Sequence, residues 1–484
     1  MALTAAKAFP NLIGGEEVHT SDRNRNINPS NTADLIGEFA RGTSADVHRA
    51  VAMAREAFRS WSQTTPQQRF DVLDRAGSDV LAKKEELGRL LAREQGKPLA
   101  DGIGEAARAG AILKFFAGEA VRPHGQKVDS VRRGIEVDVT REPLGVVAAI
   151  TPWNFPLAIP AWKIAPALAF GNAVVFKPAE LAPGSPWALV DIIQRAGLPK
   201  GVLNLVMGPG STLGAALASS ADVDAVTFTG SQDVGPSVAA AAVRAGSRVQ
   251  LEMGGKNPLV VLDDADLATA VSCAVNGAFF QMGQRCTASS RLIVTDGIHD
   301  RFVAAMVDRM KTLVIDDALK PGIDIGPVVD ERQLGKNFEY LEIGRKEGAT
   351  LVHGGERLMR DTDGYYMSPA MFTDTSDAMR INREEIFGPV AAVIRVKNYD
   401  EALAMANNTP YGLSAGIVTT SLKHATDFRR KSTSGLVMVN LPTAGLDYHV
   451  PFGGRKKSSY GPREQGTYAK EFYTIVKTAY TWAG

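Results

Sequence analysis

Short apolar runs alternate with helix-like stretches between residues 143 and 262. The apolar runs lie at 145–150, 173–176, 202–206 and 225–228, and the helical patterns lie at 186–195 and 212–218. Runs that are apolar on both faces and separated by helices are typical of a parallel sheet covered on both sides. The pattern therefore predicts βαβ units and an α/β fold.

A second α/β pattern follows residue 254. Strand candidates at 259–262, 291–294, 389–396 and 435–440 alternate with helix candidates at 300–312, 399–407 and 421–430. Ahead of both patterns, residues 45–83 and 84–116 interleave Leu and Ala with charged residues. This periodicity predicts two long amphipathic helices before the first sheet.

Two further β segments stand outside these patterns. Residues 125–142 alternate around a turn at Gly134, which predicts a hairpin. Residues 471–482 are again strand-like. Strands that project from a globular body require partners, because their backbone groups are otherwise left open.

Composition and charge narrow the class of protein. The chain has 484 residues and a net charge of +1, which offers no support for binding to nucleic acid or to an anionic membrane. The N-terminus lacks an apolar core of signal-peptide length, and four prolines interrupt the apolar stretch 143–162. Two cysteines and seven scattered histidines offer neither a disulfide framework nor metal-ligand spacing. We expect a reduced, metal-free, cytoplasmic enzyme.

Cys286 is the candidate with the most direct chemistry. It follows a long apolar segment and a turn at Gly283, and Arg285 immediately precedes it. A thiol at a helix end beside a cation has the setting that lowers its pKa and leaves the sulfur reachable. An inert cysteine remains open on local grounds, since free cysteine is among the most buried residue types. Cys273, within an apolar stretch, is expected to pack in the core.

Two strand-to-loop junctions are candidates for a nucleotide cofactor. A predicted strand ends near Gly230 and leads into a helix, a turn that presents backbone N–H groups to an anionic phosphate. An ordinary βα turn has the same pattern. Lys177 and Glu180 end another strand at the same expected sheet edge, where they suit ribose hydroxyls or form a solvated pair.

Seven ordered motifs give the chain a resemblance to the NAD(P)-dependent aldehyde dehydrogenase superfamily over nearly its whole length. The motifs are Thr151-Pro152-Trp153-Asn154-Phe155-Pro156, Lys177-Pro178-Ala179-Glu180, Phe228-Thr229-Gly230-Ser231, Leu251-Glu252-Met253-Gly254-Gly255-Lys256, Gly283-Gln284-Arg285-Cys286, Glu385-Ile386-Phe387-Gly388-Pro389-Val390 and Pro451-Phe452-Gly453-Gly454. Glu252 stands 34 positions before Cys286, the usual spacing in that family. The resemblance thus implies that Cys286 is the nucleophile.

The resemblance also implies a three-part subunit. Residues 1–124 and 143–253 would form a Rossmann-like cofactor domain, and residues 254–455 a catalytic domain. Residues 125–142 and 456–484 would form an oligomerisation element, which accounts for the two unpaired β segments. A homodimer or homotetramer is expected, because the family forms dimers or dimers of dimers.

Catalytic roles follow from the same resemblance. Cys286 attacks the aldehyde carbon, and the Asn154 side-chain amide with the Cys286 backbone N–H holds the oxyanion. Hydride transfer to the nicotinamide leaves a thioester. Glu252, with a pKa raised by partial burial, is the expected base for the hydrolytic water, and its presence indicates water rather than coenzyme A as acyl acceptor. Glu464 resembles a family glutamate that helps to relay protons, although Pro462 departs from the family pattern there.

For the cofactor, the resemblance implies NAD, with NADP as an alternative. Lys177 and Glu180 match the adenosine-ribose pair, and Glu385 and Phe387 match the nicotinamide-ribose contacts. Glu180 accepts from a 2′-hydroxyl and repels a 2′-phosphate, which favours NAD. The other residues implied in the cofactor cleft are Ile150, Thr151, Pro152, Trp153, Ala179, Gly210, Gly214, Phe228, Thr229, Gly230, Ser231, Glu252, Met253 and Gly254.

Within the superfamily, residues 283–291 and 454–466 are most similar to bacterial α-ketoglutaric semialdehyde (2,5-dioxovalerate) dehydrogenases of sugar-acid catabolism, whose product is 2-oxoglutarate. A cation beside the nucleophile suits an anionic substrate, so Arg285 is expected either to contact the substrate or to tune Cys286. Trp162 stands where succinate semialdehyde enzymes carry an arginine, which counts against that substrate. The expected substrate-binding residues are Asn154, Trp162, Arg285, Thr287 and Phe452.

Other functions stay open. Succinate semialdehyde and non-phosphorylating glyceraldehyde-3-phosphate dehydrogenases are alternatives within the superfamily. Members of this fold that have lost catalysis generally lack the cysteine or the glutamate, whereas Cys286 and Glu252 are both present. A thiol esterase would need a histidine base, and the matched motifs contain no histidine.

Overall fold

A computed structural model describes residues 7–122, 125–482 and 484. Its strands are β1 Ala8–Phe9, β2 Asn11–Ile13, β3 Glu16–Val18, β4 Arg23–Asn28, β5 Asn31–Ala40, β6 Gln126–Asp129, β7 Ile135–Pro143, β8 Val146–Ile150, β9 Ala173–Lys177, β10 Leu203–Leu205, β11 Ala225–Thr229, β12 Arg248–Glu252, β13 Asn257–Val261, β14 Ser289–Thr295, β15 Thr350–His353, β16 Ala370–Thr373, β17 Val390–Val396, β18 Ser414–Val418, β19 Leu436–Val439, β20 Ser459–Tyr460 and β21 Thr474–Trp482. Its α-helices are α1 Ser44–Trp61, α2 Pro66–Ala82, α3 Lys84–Gln95, α4 Leu99–Ala120, α5 Ala158–Ala169, α6 Gly184–Arg195, α7 Ala215–Ala218, α8 Gly235–Arg244, α9 Leu267–Phe279, α10 Asp296–Lys311, α11 Glu331–Lys346, α12 Arg380–Arg383, α13 Tyr399–Asn407, α14 Leu422–Lys431 and α15 Lys470–Tyr473.

Two large sheets confirm the predicted α/β class. The first has the order β20-β12-β11-β8-β9-β10-β2-β3, in which β12 through β10 run parallel. The second has the order β15-β16-β17-β14-β13-β18-β19 and is parallel apart from the β15–β16 pair. Buried apolar side chains form separate clusters around the two sheets.

The carboxyl ends of four parallel strands meet at one edge of the first sheet. Ile150 at the end of β8 lies beside Lys177 and Phe228, and Thr229 lies beside Glu252 at the end of β12. Loops at this edge of an open parallel sheet are the usual place for a ligand.

The two β segments outside these sheets pair with each other. The predicted hairpin is confirmed as β6 and β7, and β21 adds to it antiparallel over nine residue pairs, from Thr474 with Pro143 to Trp482 with Ile135. β20, placed by prediction in the same element, instead extends the first sheet by pairing with β12. Residues 1–6, 123–124 and 483 of the predicted divisions lie outside the described residues.

The prediction of N-terminal helices over 45–83 and 84–116 is confirmed, but each of the two ranges is divided into two helices. Thr65 and Gln68 form a capping box with Pro66 in the first turn, which starts α2 within a continuous apolar periodicity. Gly96, with φ of 85°, ends α3, and Pro98 then precedes α4. Along the described ranges, we find no helix with the length and apolar content needed to cross a bilayer.

Candidate active site

A cavity of about 670 Å³ is lined by loops that follow strands of both large sheets. Its size falls within the range of small-molecule and cofactor sites. The predicted site residues in its wall are Pro152, Trp153, Asn154, Trp162, Thr229, Gly230, Ser231, Glu252, Met253, Gly254, Cys286, Glu385, Phe387 and Phe452. Residues from six of the seven motifs therefore meet around one space.

Other predicted cofactor residues lie at the neighbouring sheet edge rather than in this wall. Ile150, Thr151 and Phe228 are buried at strand ends. Lys177 Nζ donates to the Pro178 carbonyl at 2.8 Å, and a Cβ on Gly210 would lie 3.7 Å from that Nζ. The further members at this edge are Ala179, Glu180 and Gly214. Burial lowers the pKa of Lys177 to about 8, against the opposing effect of Glu180.

A strained turn presents Cys286 to the cavity. Gln281 and Met282 adopt left-handed backbone angles, with φ of 54° and 56°, directly after α9. Such angles cost non-glycine residues about 1–3 kcal/mol each and cluster at functional sites. Gly283 continues the turn with φ of 61°, and a Cβ there would lie 2.4 Å from the Gly388 carbonyl. Asn257 Nδ2 donates to the Cys286 carbonyl at 2.8 Å and holds the loop.

The Cys286 thiol does not have the lowered pKa that its sequence setting suggested. Burial, and next the carboxyl groups of Glu385 and Glu252, raise its pKa to about 12 against the opposing backbone N–H groups of Cys286 and Thr287. Burial and two acidic side chains from distant motifs thus set this pKa, and the neighbouring Arg285 does not lower it below the ordinary value. Cys273 is buried in the core, as predicted.

Arg285 points away from the cavity, which corrects its assignment to substrate binding. Its Nε donates to Gln281 Oε1 at 3.2 Å, and its Nη1 donates to the Asn276 carbonyl and Oδ1 at 3.3 Å. Thr287 is not in the cavity wall either; its side chain is buried, its carbonyl accepts from Thr443 Oγ1 at 2.6 Å, and its role in substrate binding stays a prediction. Arg285 lies in an irregular loop, where the position of a residue next to Cys286 in the sequence does not determine the direction of its side chain.

Glu252 combines burial with access to the cavity. Its side chain is 2% exposed at the end of β12 and accepts from Ser459 Oγ at 2.5 Å. Burial, and next the carboxyl group of Glu464, raise the pKa of Glu252 well above its usual range, whereas Lys163 and Arg463 oppose the rise. The predicted upward shift is confirmed. A carboxyl group of this kind suits a general base near neutral pH.

Glu464 is buried behind Glu252 and outside the cavity wall. It forms an ion pair with Lys163 and accepts from Thr227 Oγ1 at 3.3 Å. The additional Pro462 is accommodated in the preceding turn, where its carbonyl accepts from Gln250 Nε2 at 2.9 Å. The departure from the family pattern therefore leaves Glu464 close enough to raise the pKa of Glu252.

A buried ion pair, absent from the sequence analysis, supports the Asn154 loop. Lys97 Nζ lies 2.5 Å from Glu105 Oε2 and donates to the Asn154 carbonyl at 2.9 Å. Glu105 also accepts from the backbone N–H groups of Leu157 and Ala158 at the start of α5. Asn154 Nδ2 donates to the Gln284 carbonyl at 3.1 Å, which joins this loop to the cysteine loop.

The first turns of α11 contribute cavity residues that the motifs did not indicate. Gln333 Nε2 donates to the Phe387 carbonyl at 3.1 Å, and Lys336 Nζ donates to the Glu385 carbonyl at 3.1 Å. Burial raises the pKa of the Glu385 carboxyl group to about 7, against the Gly255 N–H that donates to it at 3.0 Å. The local sequence of α11 is that of an ordinary charged helix, so only the packing against residues 385–387 reveals these contacts.

Arg41 is another residue that the sequence analysis missed. Its Nε lies 3.9 Å from Glu180 Oε1, and its Nη1 lies 3.6 Å from Asp22. A cation beside Glu180, which is predicted to face the ribose 2′ position, bears on NADP acceptance. Arg41 is 139 positions before Glu180, so no local signal joins them.

Comparisons with known proteins agree with this architecture. The model of the aldehyde dehydrogenase family matches residues 17–479. The chain is 43% identical to the α-ketoglutaric semialdehyde dehydrogenase of Bacillus subtilis over 99% of both chains, and 44% identical to the α-ketoglutarate semialdehyde dehydrogenase of Haloferax volcanii over 97% of this chain and 98% of that one. A betaine aldehyde dehydrogenase from Staphylococcus aureus, solved in complex with NAD+, superimposes with a TM-score of 0.95 at 34% identity, covering 98% of this chain and 95% of that one.

These matches extend over nearly the whole chain and exceed what a shared fold alone produces. They confirm the expected fold and the expected enzyme class, an NAD(P)-dependent aldehyde dehydrogenase. The chain belongs to the aldehyde dehydrogenase family.

Proposed function

We propose that this enzyme uses NAD to oxidise 2,5-dioxovalerate to 2-oxoglutarate, with water as the acyl acceptor. The substrate is supported by relatives with the names α-ketoglutaric semialdehyde dehydrogenase and, in Saccharolobus solfataricus, 2,5-dioxopentanoate dehydrogenase, the last 40% identical over 94% of this chain and 95% of that one. The observation that carries the chemistry is the joint presence of Cys286 and a buried Glu252 in one cavity wall.

The residues at the sheet edge fit a dinucleotide. Gly210 leaves space beside Lys177, and Gly254 lies against Glu385, where a Cβ would come within 1.9 Å of a carboxylate oxygen. Lys177 and Glu180 would hold the adenosine ribose, Gly230 and Ser231 the pyrophosphate, and Glu385 the nicotinamide ribose. Bound NAD supplies a hydride acceptor.

Acylation begins with removal of the Cys286 proton, which its raised pKa makes necessary. Glu252 accepts that proton, and the sulfur forms a bond to the aldehyde carbon. Asn154 Nδ2 and the Cys286 backbone N–H donate to the resulting oxyanion. Loss of hydride from this carbon converts the thiohemiacetal into a thioester on Cys286.

Before deacylation, Glu252 passes the proton that it took from Cys286 to the Glu464–Lys163 pair behind it, and from there to solvent. Glu252 then acts as a base a second time. Its carboxylate removes a proton from water, the water oxygen bonds to the thioester carbon, and the carbon–sulfur bond breaks to release the acid. Glu252 returns the proton from water to the departing thiolate, which restores both the Cys286 thiol and the Glu252 carboxylate.

The substrate is tested by kcat/KM for 2,5-dioxovalerate, succinate semialdehyde, glyceraldehyde 3-phosphate and pentanal, each with NAD and with NADP. We expect 2,5-dioxovalerate with NAD to give the highest value. A higher kcat/KM for succinate semialdehyde or glyceraldehyde 3-phosphate would make that aldehyde the preferred substrate instead of 2,5-dioxovalerate. The assignment as an aldehyde dehydrogenase would be unaffected.

Self-association through the sheet β6-β7-β21 is part of the proposal. Tyr480 and Trp482 on β21 are 63% and 73% exposed, and β21 pairs on one side only among the described residues. An open strand with exposed aromatic side chains favours a partner, and we propose a second copy of this chain. Light scattering should report a dimer or tetramer for the wild type and smaller species for Trp482→Asp. The predicted cytoplasmic location and domain boundaries remain predictions.

A further inference from the structure

Arg108 is a cation with unused hydrogen-bonding capacity on α4. Its Nε is buried and has no hydrogen-bond partner among the described residues. Its Nη2 reaches Gln465 Oε1 only at 3.5 Å, a long contact. A buried donor without an acceptor is costly, so a guanidinium in this state is suited to a ligand that supplies one.

The position of Arg108 on α4 directs it toward the segments that form the active site. Asp101 and Phe115 lie seven residues before and after it, so the three share one helix face. Asp101 Oδ2 accepts from Gln281 Nε2 at 3.2 Å, in the turn that leads to Cys286. At the other end of the face, the ring of Phe115 packs edge-on against Tyr448, with centroids 6.1 Å apart.

Arg108 therefore stands between the cysteine loop and the loop that leads to Phe452. Gln465, which Arg108 contacts, also belongs to a segment near the cavity. It follows Glu464, whose backbone pairs with that of Phe452 through hydrogen bonds of 2.7 and 2.9 Å. Phe452 itself lines the catalytic cavity and packs against Trp162, with centroids 5.4 Å apart. Arg108 is not itself in the wall of the cavity, and its guanidinium contacts Gln465, in a segment that is continuous with that wall.

The surface of α4 is open one helical turn before Arg108. Gly104 is exposed there, and a Cβ built on it would meet no atom within 4 Å.

Burial lowers the pKa of Arg108, and the nearby carboxyl groups of Glu105 and Asp447 oppose this shift. Glu105 is engaged by Lys97 in the buried ion pair described above. Asp447 is exposed, and no ion pair within 4.0 Å links it to Arg108 in the described part of the chain. Asp101 is engaged by Gln281.

We propose that Arg108, rather than Arg285, binds the far carboxylate of the aldehyde substrate while the aldehyde carbon lies at Cys286. This inference rests on the proposed function for the identity of the substrate, but not for the charge preference. A guanidinium suits a carboxylate because it donates two parallel hydrogen bonds. The substrate class is thereby narrowed to short aldehydes with an anionic end.

The test compares Arg108→Met, Arg108→Lys and Arg285→Met in the full-length enzyme with NAD. For Arg108→Met we expect kcat/KM for 2,5-dioxovalerate to fall about ten- to a hundredfold, mainly through KM, with pentanal changed less than about threefold. Arg108→Lys should recover part of the loss, because it keeps the charge without the bidentate geometry. Arg285→Met should affect the two aldehydes equally.

A second readout does not depend on the identity of the physiological substrate. Glutarate should inhibit pentanal oxidation competitively in the wild type, and Arg108→Met should raise its inhibition constant about ten- to a hundredfold. Thermal unfolding and NAD binding establish that each variant is folded. If Arg108→Met does not fold, Arg108→Lys takes its place in the comparison with the wild type. Equal losses on 2,5-dioxovalerate and pentanal, or unchanged inhibition by glutarate, would overturn the assignment of Arg108. Poor oxidation of 2,5-dioxovalerate by the wild type would overturn only the proposed substrate.

Discussion

The raised pKa of Cys286 predicts that the enzyme without cofactor is alkylated slowly. Its pKa rises from an ordinary value of 9.0 to about 12, so the thiolate population below pH 9 falls about a thousandfold. A more basic thiolate is more nucleophilic, with a Brønsted coefficient of about 0.4–0.5. This recovers about 15- to 30-fold, so Cys286 should react with iodoacetamide about 30- to 60-fold more slowly than an ordinary cysteine.

The sign of the pH dependence follows from the same shift. The reactive thiolate forms as pH rises, so the logarithm of the rate should increase by about one for each pH unit through pH 10. Glu385→Gln should accelerate alkylation, because the Glu385 carboxylate is the first charged group that raises the thiol pKa. Glu384→Gln is the matched control, since Glu384 is held by Tyr340 and Arg380 instead.

Rates would be measured by mass spectrometry of peptides, which separates Cys286 from the buried Cys273. Each rate would be compared with that of a small thiol under the same conditions. A plateau near pH 9, or a rate at neutral pH equal to that of the small thiol, would refute the argument that burial and two carboxyl groups control this sulfur.

Three other substitutions test the assigned roles. Cys286→Ala should lower kcat more than about a hundredfold with NAD binding nearly unchanged in calorimetry, because the sulfur forms the covalent bond; a residual rate above that level would reject it as nucleophile. Glu252→Gln should give a rapid NADH burst followed by slow turnover in stopped flow, because the amide cannot accept a proton from water, and an unchanged steady-state rate would count against its role as base. Glu180→Gln should lower KM for NADP relative to NAD by removing a charge that faces the 2′-phosphate. Adding Arg41→Ala to Glu180→Gln should raise KM for NADP again in part. An unchanged ratio of KM for NADP to KM for NAD in Glu180→Gln would show that Glu180 does not contact the adenosine ribose.

Local patterns were sufficient for most of the fold, and the motifs indicated many of the residues that meet in the cavity but not those of α11. The strands β8, β9 and β11 were predicted from short runs that are apolar on both faces, because burial between helices imposes that pattern directly. The N-terminal helices were divided incorrectly, because a capping box at Thr65 and a left-handed Gly96 interrupt an apolar periodicity that continues past them.

The sequence by itself determined the enzyme family and indicated Cys286, Glu252 and Asn154 as the catalytic candidates, because the ordered motifs and their spacing are properties of the chain. Only the tertiary structure decided what surrounds those groups. The pKa of Cys286 depends on burial and on carboxyl groups 34 and 99 positions away along the chain, and it is raised although Arg285 is adjacent. Arg285 turns back toward α9, whereas Arg108 lies near the active-site loops with an unpartnered Nε. Electrostatic environment and side-chain direction depend on distances in space, and a position in the sequence carries neither.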